Sequence, residues 1–430
     1  MERVNHFIPE GVEDIHCNVY EIKENTITNI KSIFKSFGYR QILTPTFEYY
    51  DLFSEIEGTI HKDEMFKFID GNGKILVLRP DVTTPIARMV ATNYKSCTGY
   101  LKFSYATNIF RIHDEQNGKK REFTQAGIEY LGNDQPDSDA EVVALAIKSL
   151  INCGLQDFQI DLGQARYFKG LIKESGIAEK IQGQIRSFIE EKNFAALQTI
   201  LGELNIDEFF KNALLEIPYL YGRPEETIKE AEKFVCNEEM KTSLNNLKDV
   251  YSILKDYGYE KYLSIDFGMI HHIDYYTGVI FKGYVNHYGR TVLSGGRYDH
   301  LTKQYGCYMP ATGFGLNIDA LLEVFGMYKM NKDFACSTDY LILYEKDNRK
   351  NGLQIAEQLR EKGFIVESDL CEKNIKNHII NANDRNIKEI VQICGENLKR
   401  IDLRNNKVYK NTVSQFFKGL KNLEIFASIH

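Results

Sequence analysis

The chain has 430 residues, a length that predicts two or three domains rather than one. Its composition, 43% hydrophobic and 26% charged, is ordinary for a globular protein. No apolar run reaches the roughly 18 residues needed to span a bilayer, and the first residues lack the cationic and apolar pattern of a signal peptide. These features argue against a membrane-spanning helical protein, and we expect the chain to remain in the cytoplasm.

The formal net charge is −7 and is unevenly distributed. From residue 331 onward, Lys and Arg number 17 and Asp and Glu number 14, so this end carries +3 and the first 330 residues carry −10. An acidic body repels a polyphosphate backbone. The charge therefore does not favour a nucleic acid as partner.

Eight cysteines are scattered along the chain without any C-x-x-C pair. This spacing argues against a zinc ribbon and against a thioredoxin-type redox site. We expect reduced thiols that pack as small apolar residues.

Hydrophobic periodicity predicts helices and antiparallel strands in the first 165 residues. In chain order, the predicted elements are a helix over 21–37 that ends at Gly38, a strand over 40–47 (RQILTPTF), a hairpin over 66–80 (FKFIDGNGKILVLRP), a helix over 83–94, strands over 101–111 and 121–132, a helix over 137–152 and a strand over 157–163. The D-G-N-G turn within the hairpin is a strong local signal.

Residues 166–258 are rich in Glu, Lys and Leu at helical spacing, and they predict an all-helical insertion. Strands resume at YLSIDFG, YYTGVIFKGYV and GRTVLSGG, followed by a helix near 318–327. Antiparallel strands with flanking helices predict an α+β core over residues 1–327.

Segment 328–338 is a predicted linker. Beyond it, residues 338–430 alternate strands with helices, and RIDLRNNKVYK near the end has the pattern of a hairpin. This order predicts a second, α/β domain with a largely parallel sheet.

Four regions, in order, resemble the histidyl-tRNA synthetase family, which has the class II synthetase fold. GYRQILTPTFEYYDLF resembles the dimer-forming first motif, and EMFKFIDGNGKILVLRPDVTTPIAR resembles the segment that holds the amino acid. NIFRIHDEQNGKKREFTQAGIEYLG resembles the second motif, and IDYYTGVIFKGY with SGGRYDHL resembles the two histidine-specific signatures. The resemblance covers about three quarters of the chain. It implies a synthetase-like dimer, and the tail from Asp339 has the element order of an anticodon-binding domain.

The resemblance also implies a pocket for free histidine, whose ammonium, carboxylate and imidazole need acidic or amide acceptors, a cation and a hydroxyl partner. The candidate histidine-binding residues are Asp81, Thr83, Arg111, Gln125, Glu129, Tyr275 and Tyr276. Family positions assign Asp81 and Thr83 to the amino group, and Arg111 to the carboxylate or an activated phosphate. Gln125 and Glu129 are four apart on a predicted strand, so both side chains face the same side.

Each of these residues also has a purely structural interpretation. Gln125 and Glu129 are equally compatible with solvated strand positions. Strand alternation predicts that only one of Tyr275 and Tyr276 faces the pocket, with the other in the core. Adjacent His271 and His272 point to opposite faces of a strand and cannot chelate one ion side by side, so packing or a single polar contact is the better interpretation. We expect no metal site and no cofactor.

Adenylate formation requires several guanidinium groups around ATP. At the positions that the synthetase family reserves for them, this chain has Ala320 for the phosphate-binding arginine and His271 for the histidine-specific arginine. His113 and Lys119 replace a glutamate and an arginine of the second motif. A methyl group cannot replace a bidentate guanidinium, so we predict no catalytic residues.

A retained pocket on a disabled catalytic core resembles the synthetase-like regulatory subunits of ATP phosphoribosyltransferase. The resemblance implies a non-catalytic subunit that is required for the first step of histidine biosynthesis and for its feedback inhibition by histidine. It also implies a hetero-oligomer with a short-form catalytic subunit, with L-histidine as effector.

The C-terminal tail keeps alternatives open, because many members of the regulatory family end after the core. A working histidyl-tRNA synthetase and a tRNA-binding synthetase paralogue are the competing hypotheses. A tRNA-binding face would need basic residues clustered in space.

Overall fold

The structure is a computed structural model, and it describes residues 8–54, 60–95, 97–112, 120–270, 275–328, 338–371, 375–395 and 397–418. The chain divides into two compact units, residues 1–330 and 331–430. Among the described residues, no helix combines the length and apolar character needed to cross a bilayer.

The helices of the first unit are α1 (Cys17–Ser36), α2 (Asp51–Ser54), α3 (Thr83–Asn93), α4 (Pro136–Asn152), α5 (Ala165–Glu174), α6 (Glu179–Glu190), α7 (Phe194–Glu203), α8 (Glu208–Glu216), α9 (Pro224–Glu232), α10 (Glu238–Asp256), α11 (Leu301–Gln304) and α12 (Ile318–Met327). Its strands are β1 (Arg40–Gln41), β2 (Phe47–Tyr49), β3 (Lys67–Ile69), β4 (Ile75–Leu78), β5 (Leu101–Phe110), β6 (Glu122–Leu131), β7 (Phe158–Gln164), β8 (Tyr221–Gly222), β9 (Leu263–Asp266), β10 (Val279–Val285), β11 (Thr291–Arg297) and β12 (Ala311–Asn317).

A large sheet with the order β1-β5-β6-β12-β11-β10-β7-β9-β8 forms the centre of the first unit. Its pairs from β5 to β7 are antiparallel, whereas β1 pairs with β5 and β9 pairs with β7 in parallel. Helices α1, α4 and α12 pack against one another or against the sheet, and Phe34 of α1 meets Phe314 of β12 at 5.9 Å. Because side chains alternate along a strand, the strand neighbours of Phe314, Gly313 and Gly315, lie on the face away from α1. The predicted α+β class is confirmed.

One predicted strand is broken in the structure. RQILTPTF was expected to be continuous, but β1 ends at Gln41 and β2 begins at Phe47. Pro45 has no backbone N–H to donate to a ladder. The carbonyl oxygens of Thr44 and Pro45 instead accept hydrogen bonds from Arg79 Nη1, at 2.9 and 3.1 Å. The predicted hairpin, by contrast, is confirmed as β3 and β4, which pair antiparallel.

The second unit contains β13 (Tyr340–Tyr344), α13 (Arg349–Glu361), β14 (Val366–Leu370), α14 (Ile375–Asp384), β15 (Glu389–Cys394), β16 (Asn397–Asp402) and β17 (Lys407–Thr412). Its sheet has the order β14-β13-β15-β16-β17. The expectation of a largely parallel sheet is only partly right. Strands β14, β13 and β15 are parallel, but β16 and β17 add an antiparallel hairpin because only a tight turn joins them.

Candidate functional site

A cavity of about 260 Å³ opens on the face of the large sheet opposite α1. Its floor is formed by glycines of the two central strands, Gly313 and Gly315 on β12 and Gly295 and Gly296 on β11. A run of glycines in neighbouring strands leaves the pleated surface without side chains. The sheet therefore carries a recess where side chains would otherwise stand.

Glycine is required at Gly313, Gly315 and Gly296 because side chains from neighbouring segments of the chain occupy the space above them. A Cβ on Gly313 would overlap the carboxylate of Glu129, and a Cβ on Gly315 would overlap the amide of Gln125. A Cβ on Gly296 would lie 2.9 Å from the ring of Tyr276. The floor and the walls of the cavity are thus fitted to each other.

All seven candidate residues line this cavity. Gln125 and Glu129 lie on β6, and both side chains point into the cavity. The prediction that they face the same side of one strand is confirmed. Gln125 Oε1 accepts a hydrogen bond of 3.3 Å from the hydroxyl of Tyr105. Glu129 is 1% exposed. Together the two residues form an amide and carboxyl wall along β6.

Glu129 is a buried carboxyl group held by hydroxyls. Thr83 Oγ1 donates to Glu129 Oε1 at 2.7 Å, and the hydroxyl of Tyr298 donates to Glu129 Oε2. Burial raises the pKa of Glu129 to about 8, although both hydroxyl donors act in the opposite direction. Among the described residues, no cation forms an ion pair with this carboxyl group. The wall is therefore suited to a ligand that brings a positive charge or a hydrogen-bond donor.

The start of α3 supplies the second acidic group. Asp81 accepts hydrogen bonds from the backbone N–H of Thr84 at 2.8 Å and from the Thr84 hydroxyl at 3.1 Å. Burial raises the pKa of Asp81, while these hydrogen bonds and Arg111 lower it. Arg111, which also lines the cavity, donates from Nε to the carbonyl of Pro80 at 2.7 Å.

The tyrosine pair corrects the alternation argument. Both Tyr275 and Tyr276 line the cavity, since they lie in the turn before β10, where strand alternation does not apply. Their rings meet edge to face with centroids 5.0 Å apart, and Tyr275 stacks on Tyr298 at 5.4 Å. His271, His272, His113 and Lys119 lie outside the described residues, so the expectations about them remain predictions.

Comparison with known proteins gives a consistent result. The family model described as histidyl-tRNA synthetase matches residues 11–321. A relative from Acetivibrio thermocellus, named ATP phosphoribosyltransferase regulatory subunit, is 39% identical over 96% of this chain and 99% of its own length. A relative of the same name from Clostridium novyi is 38% identical over 98% of this chain and 100% of its own length. The chain belongs to the ATP phosphoribosyltransferase regulatory subunit family.

Solved structures agree with this membership. A Bacillus halodurans protein described as an ATP phosphoribosyltransferase regulatory subunit/histidyl-tRNA synthetase superposes with a TM-score of 0.82, at 31% identity over 91% of this chain and 98% of that one. A Nostoc histidyl-tRNA synthetase superposes with a TM-score of 0.83 over 98% of this chain and 100% of that one. At 17% identity the latter shows the fold alone, which is the predicted class II synthetase fold.

These matches also bear on the C-terminal tail. The Acetivibrio and Clostridium relatives match this family member over nearly its whole length, so their alignments extend into the tail. A C-terminal domain is therefore compatible with membership of the regulatory subunit family. The presence of the C-terminal domain therefore does not by itself favour a histidyl-tRNA synthetase over a regulatory subunit.

Sequence reasoning missed Tyr105, Tyr298 and Lys282, which also line the cavity. Tyr298 lies within the quoted SGGRYDHL signature, and Lys282 is a single charge within the apolar run VIFKGYV. Each of these sequence patterns could have marked its residue as a candidate for the cavity. Which strands become neighbours, however, follows only from the folded topology.

A neighbouring cavity of about 480 Å³ contains Ala320 and shares Arg111, Gln125 and Lys282 with the first. Two further cations in its lining already have protein partners. Arg290 forms an ion pair with Glu323, and Lys120 forms one with Glu13 and lies 3.6 Å from Asp319. The Ala320 side chain adds only a methyl group at the start of α12.

Proposed function

We propose that this chain is a histidine-sensing, non-catalytic regulatory subunit of ATP phosphoribosyltransferase. In this role it pairs with a short-form catalytic subunit, is required for the first step of histidine biosynthesis, and transmits feedback inhibition by L-histidine. The observation that carries the proposal is the cavity itself, in which all seven predicted residues meet.

The chemistry of the cavity supports histidine as the ligand. Asp81 and Glu129 are buried acidic groups, and an ammonium ion offers the positive charge that stabilises their ionised forms. Tyr275, Tyr276 and Tyr298 provide aromatic surface and hydroxyl groups for an imidazole. Arg111 is the cation that the family resemblance assigns to the carboxylate. A zwitterionic amino acid whose planar ring both donates and accepts hydrogen bonds satisfies these groups together.

The absence of adenylate formation is part of the proposal. Ala320 offers no guanidinium to a phosphate, and Arg290 and Lys120 are occupied by protein carboxylates in the neighbouring cavity. Removing even one preorganised hydrogen-bond donor from a catalytic site costs about 2.7–4 kcal/mol of transition-state stabilisation. We therefore expect histidine to be bound but not activated.

Self-association as a synthetase-like dimer is also proposed. Phe47, Tyr49 and Phe68 lie on one face of the β2-β4-β3 sheet, and Phe47 and Phe68 are 55% and 40% exposed. Phe47 and Tyr49 belong to the segment that resembles the dimer-forming motif, and the ring of Phe68 packs edge to face against that of Phe47. A cluster of exposed aromatic residues is typical of an interface between proteins.

The match of residues 11–321 to the family model described as histidyl-tRNA synthetase favours one competing function, a working synthetase. Histidine-dependent ATP–pyrophosphate exchange separates the two functions. We expect exchange no greater than that of a no-enzyme control. Robust exchange would make the chain a synthetase and overturn the proposal.

The positive test is reconstitution. The purified chain is mixed with a short-form catalytic subunit, and formation of phosphoribosyl-ATP is measured with and without L-histidine. We expect activity only in the mixture and inhibition by added histidine. Equal activity of the catalytic subunit alone, or activity of the mixture that histidine does not affect, would contradict the proposed role.

A further inference from the structure

Two residues, Thr277 and Gly278, separate the tyrosine pair from the start of β10 at Val279. We refer to residues 275–278 as the tyrosine turn. Both tyrosines line the 260 Å³ cavity, whereas Thr277 and Gly278 do not. Because the tyrosine turn lies outside the ladder of the sheet, its position depends on the hydrogen bonds that its individual residues make.

Thr277 makes three hydrogen bonds to the end of β11 and the residues that follow it. Its N–H donates to the carbonyl of Arg297 at 2.7 Å. Its hydroxyl donates to Asp299 Oδ2 at 2.8 Å and accepts from the N–H of Asp299 at 2.9 Å. Thr277 is 5% exposed, so water has little access to these bonds. A hydroxyl that both donates and accepts is held in one orientation.

Asp299 is in turn held by a cluster of buried charges. Arg297 Nη1 donates to Asp299 Oδ1 at 3.1 Å, and Arg297 Nε donates to the carboxylate of Asp139 at 3.0 Å. The N–H of Ala311, the first residue of β12, also donates to Asp299 Oδ1, at 3.2 Å. Arg297, Asp139 and Asp299 are all buried. Movement of one member would leave a buried charge without its partner, so the support beneath Thr277 is rigid.

Helix α5 holds the tyrosine turn from another side. Lys169 Nζ donates to the carbonyl of Tyr276 at 2.9 Å, and the N–H of Ala165 donates to the carbonyl of Gly278 at 3.0 Å. These bonds fasten the backbone before and after Thr277 to α5. The bonds of Thr277 itself fasten the turn to β11, whose Gly296 lies against the Tyr276 ring. Thr277 therefore sets how the tyrosine turn lies relative to the glycine floor of the cavity.

We propose that Thr277 is a positioning residue of the histidine site, which does not touch the ligand but holds the rings of Tyr275 and Tyr276 in the orientation that binds it. This inference rests on the proposed function, because it assumes that the two rings contact histidine. A ligand that must first order two side chains binds more weakly than a ligand that meets them already ordered. The Thr277 hydroxyl thus contributes to affinity through the tyrosines.

The test begins with isothermal titration calorimetry of the full chain with L-histidine. Thr277→Val removes the hydroxyl with little change in shape, and it should lower the affinity roughly 5- to 100-fold, the factor for ordering two side chains on binding. Thr277→Ser should keep an affinity close to that of the wild-type chain, because its hydroxyl can make the same two bonds. Thr277→Ala is measured alongside, so that the result does not depend on the folding of one variant.

A double-mutant cycle with Tyr276→Leu separates positioning from general destabilisation. If Thr277 acts through the tyrosine turn, Thr277→Val should cost much less affinity in the Tyr276→Leu background than in the wild-type chain. An equal cost in the two backgrounds would show that the hydroxyl does not act through the Tyr276 ring, and would overturn the proposal.

Thr302→Val is the matched control. Thr302 is also buried, and its hydroxyl donates to the carbonyl of Met309 at 3.0 Å and accepts from the N–H of Met309 at 2.9 Å, but it does not line the cavity. Urea denaturation should show a loss of stability similar to that of Thr277→Val, while the histidine affinity stays that of the wild-type chain. Unchanged affinity in Thr277→Val and Thr277→Ala, or an equal loss in Thr302→Val, overturns the role of Thr277. Failure of the wild-type chain to bind histidine at all would overturn the proposed function itself.

Discussion

Gly313 lies directly opposite Glu129 in the antiparallel pair of β12 and β6, and the Glu129 carboxylate occupies the space where a Cβ of residue 313 would stand. The cross-strand pairing therefore decides where the buried carboxyl group can go. The shape of the cavity depends on the missing side chain as much as on the residues that line it.

Replacing Gly313 with Ala should displace Glu129 and abolish measurable histidine binding. We also expect a loss of about 1–3 kcal/mol in the free energy of unfolding, the usual cost of overpacking a fitted site. Calorimetry and urea denaturation give the two quantities. Gly71→Ala is the matched control, because a Cβ at Gly71 meets no atom within 4 Å. Normal histidine binding by Gly313→Ala would show that the carboxylate is not held against β12.

The buried Glu129 carboxyl group should make stability depend on pH. Its pKa is about 8 in the folded chain and near 4.5 for an ordinary glutamate, so between these values the folded state holds a proton that the unfolded state lacks. Stability contributed by this group is therefore lost as pH rises from about 4.5 through 8. Glu129→Gln does not titrate, and its stability relative to wild type should rise by roughly a few kcal/mol between pH 5 and pH 9. Parallel urea denaturation curves that give a pH-independent difference would contradict the prediction.

Gln125 offers a test of the effector site that leaves the partner's activation untouched. Gln125→Ala should weaken inhibition by histidine about 10-fold or more, because the variant loses an amide that faces the ligand and the Tyr105 hydroxyl. Activity of the reconstituted complex without histidine should stay unchanged. Dose–response curves of the complex measure both. Full histidine sensitivity in both Gln125→Ala and Glu129→Ala would move the effector site elsewhere.

Phe47 provides a test of self-association. Phe47→Asp introduces a charge beside Phe68, which lies 6.0 Å away between ring centroids, and should shift the chain from dimer to monomer. Sedimentation velocity at several concentrations measures the shift. Ile380→Asp alters an exposed apolar residue of similar exposure, 58% against 55%, in the other unit and should leave the association unchanged. A dimer of undiminished strength in Phe47→Asp would exclude this face as the interface.

The sequence was sufficient to predict the relative orientation of site residues that lie on the same strand. Gln125 and Glu129 share a strand, and their spacing alone predicts a common face. Tyr275 and Tyr276 were misjudged, because YYTGVIFKGYV forms a strand only from Val279 onward. Spacing alone could not place Lys282 in the same cavity as Glu129, since two strands from distant parts of the chain, β11 and β12, lie between their strands. Long-range strand order is decided by packing of the whole sheet rather than by local pattern.

The ion pairs of the cavity beside Ala320 have a consequence for any anionic ligand there. Lys120 lies against Glu13 and Asp319, and Arg290 lies against Glu323, so a phosphate group in this cavity would have to displace protein carboxylates from their cations. An arginine at position 320 would still leave those two charges neutralised within the protein. Under the proposed function, the lack of a phosphate site thus depends on the whole charge arrangement around Ala320 and not on one substituted side chain.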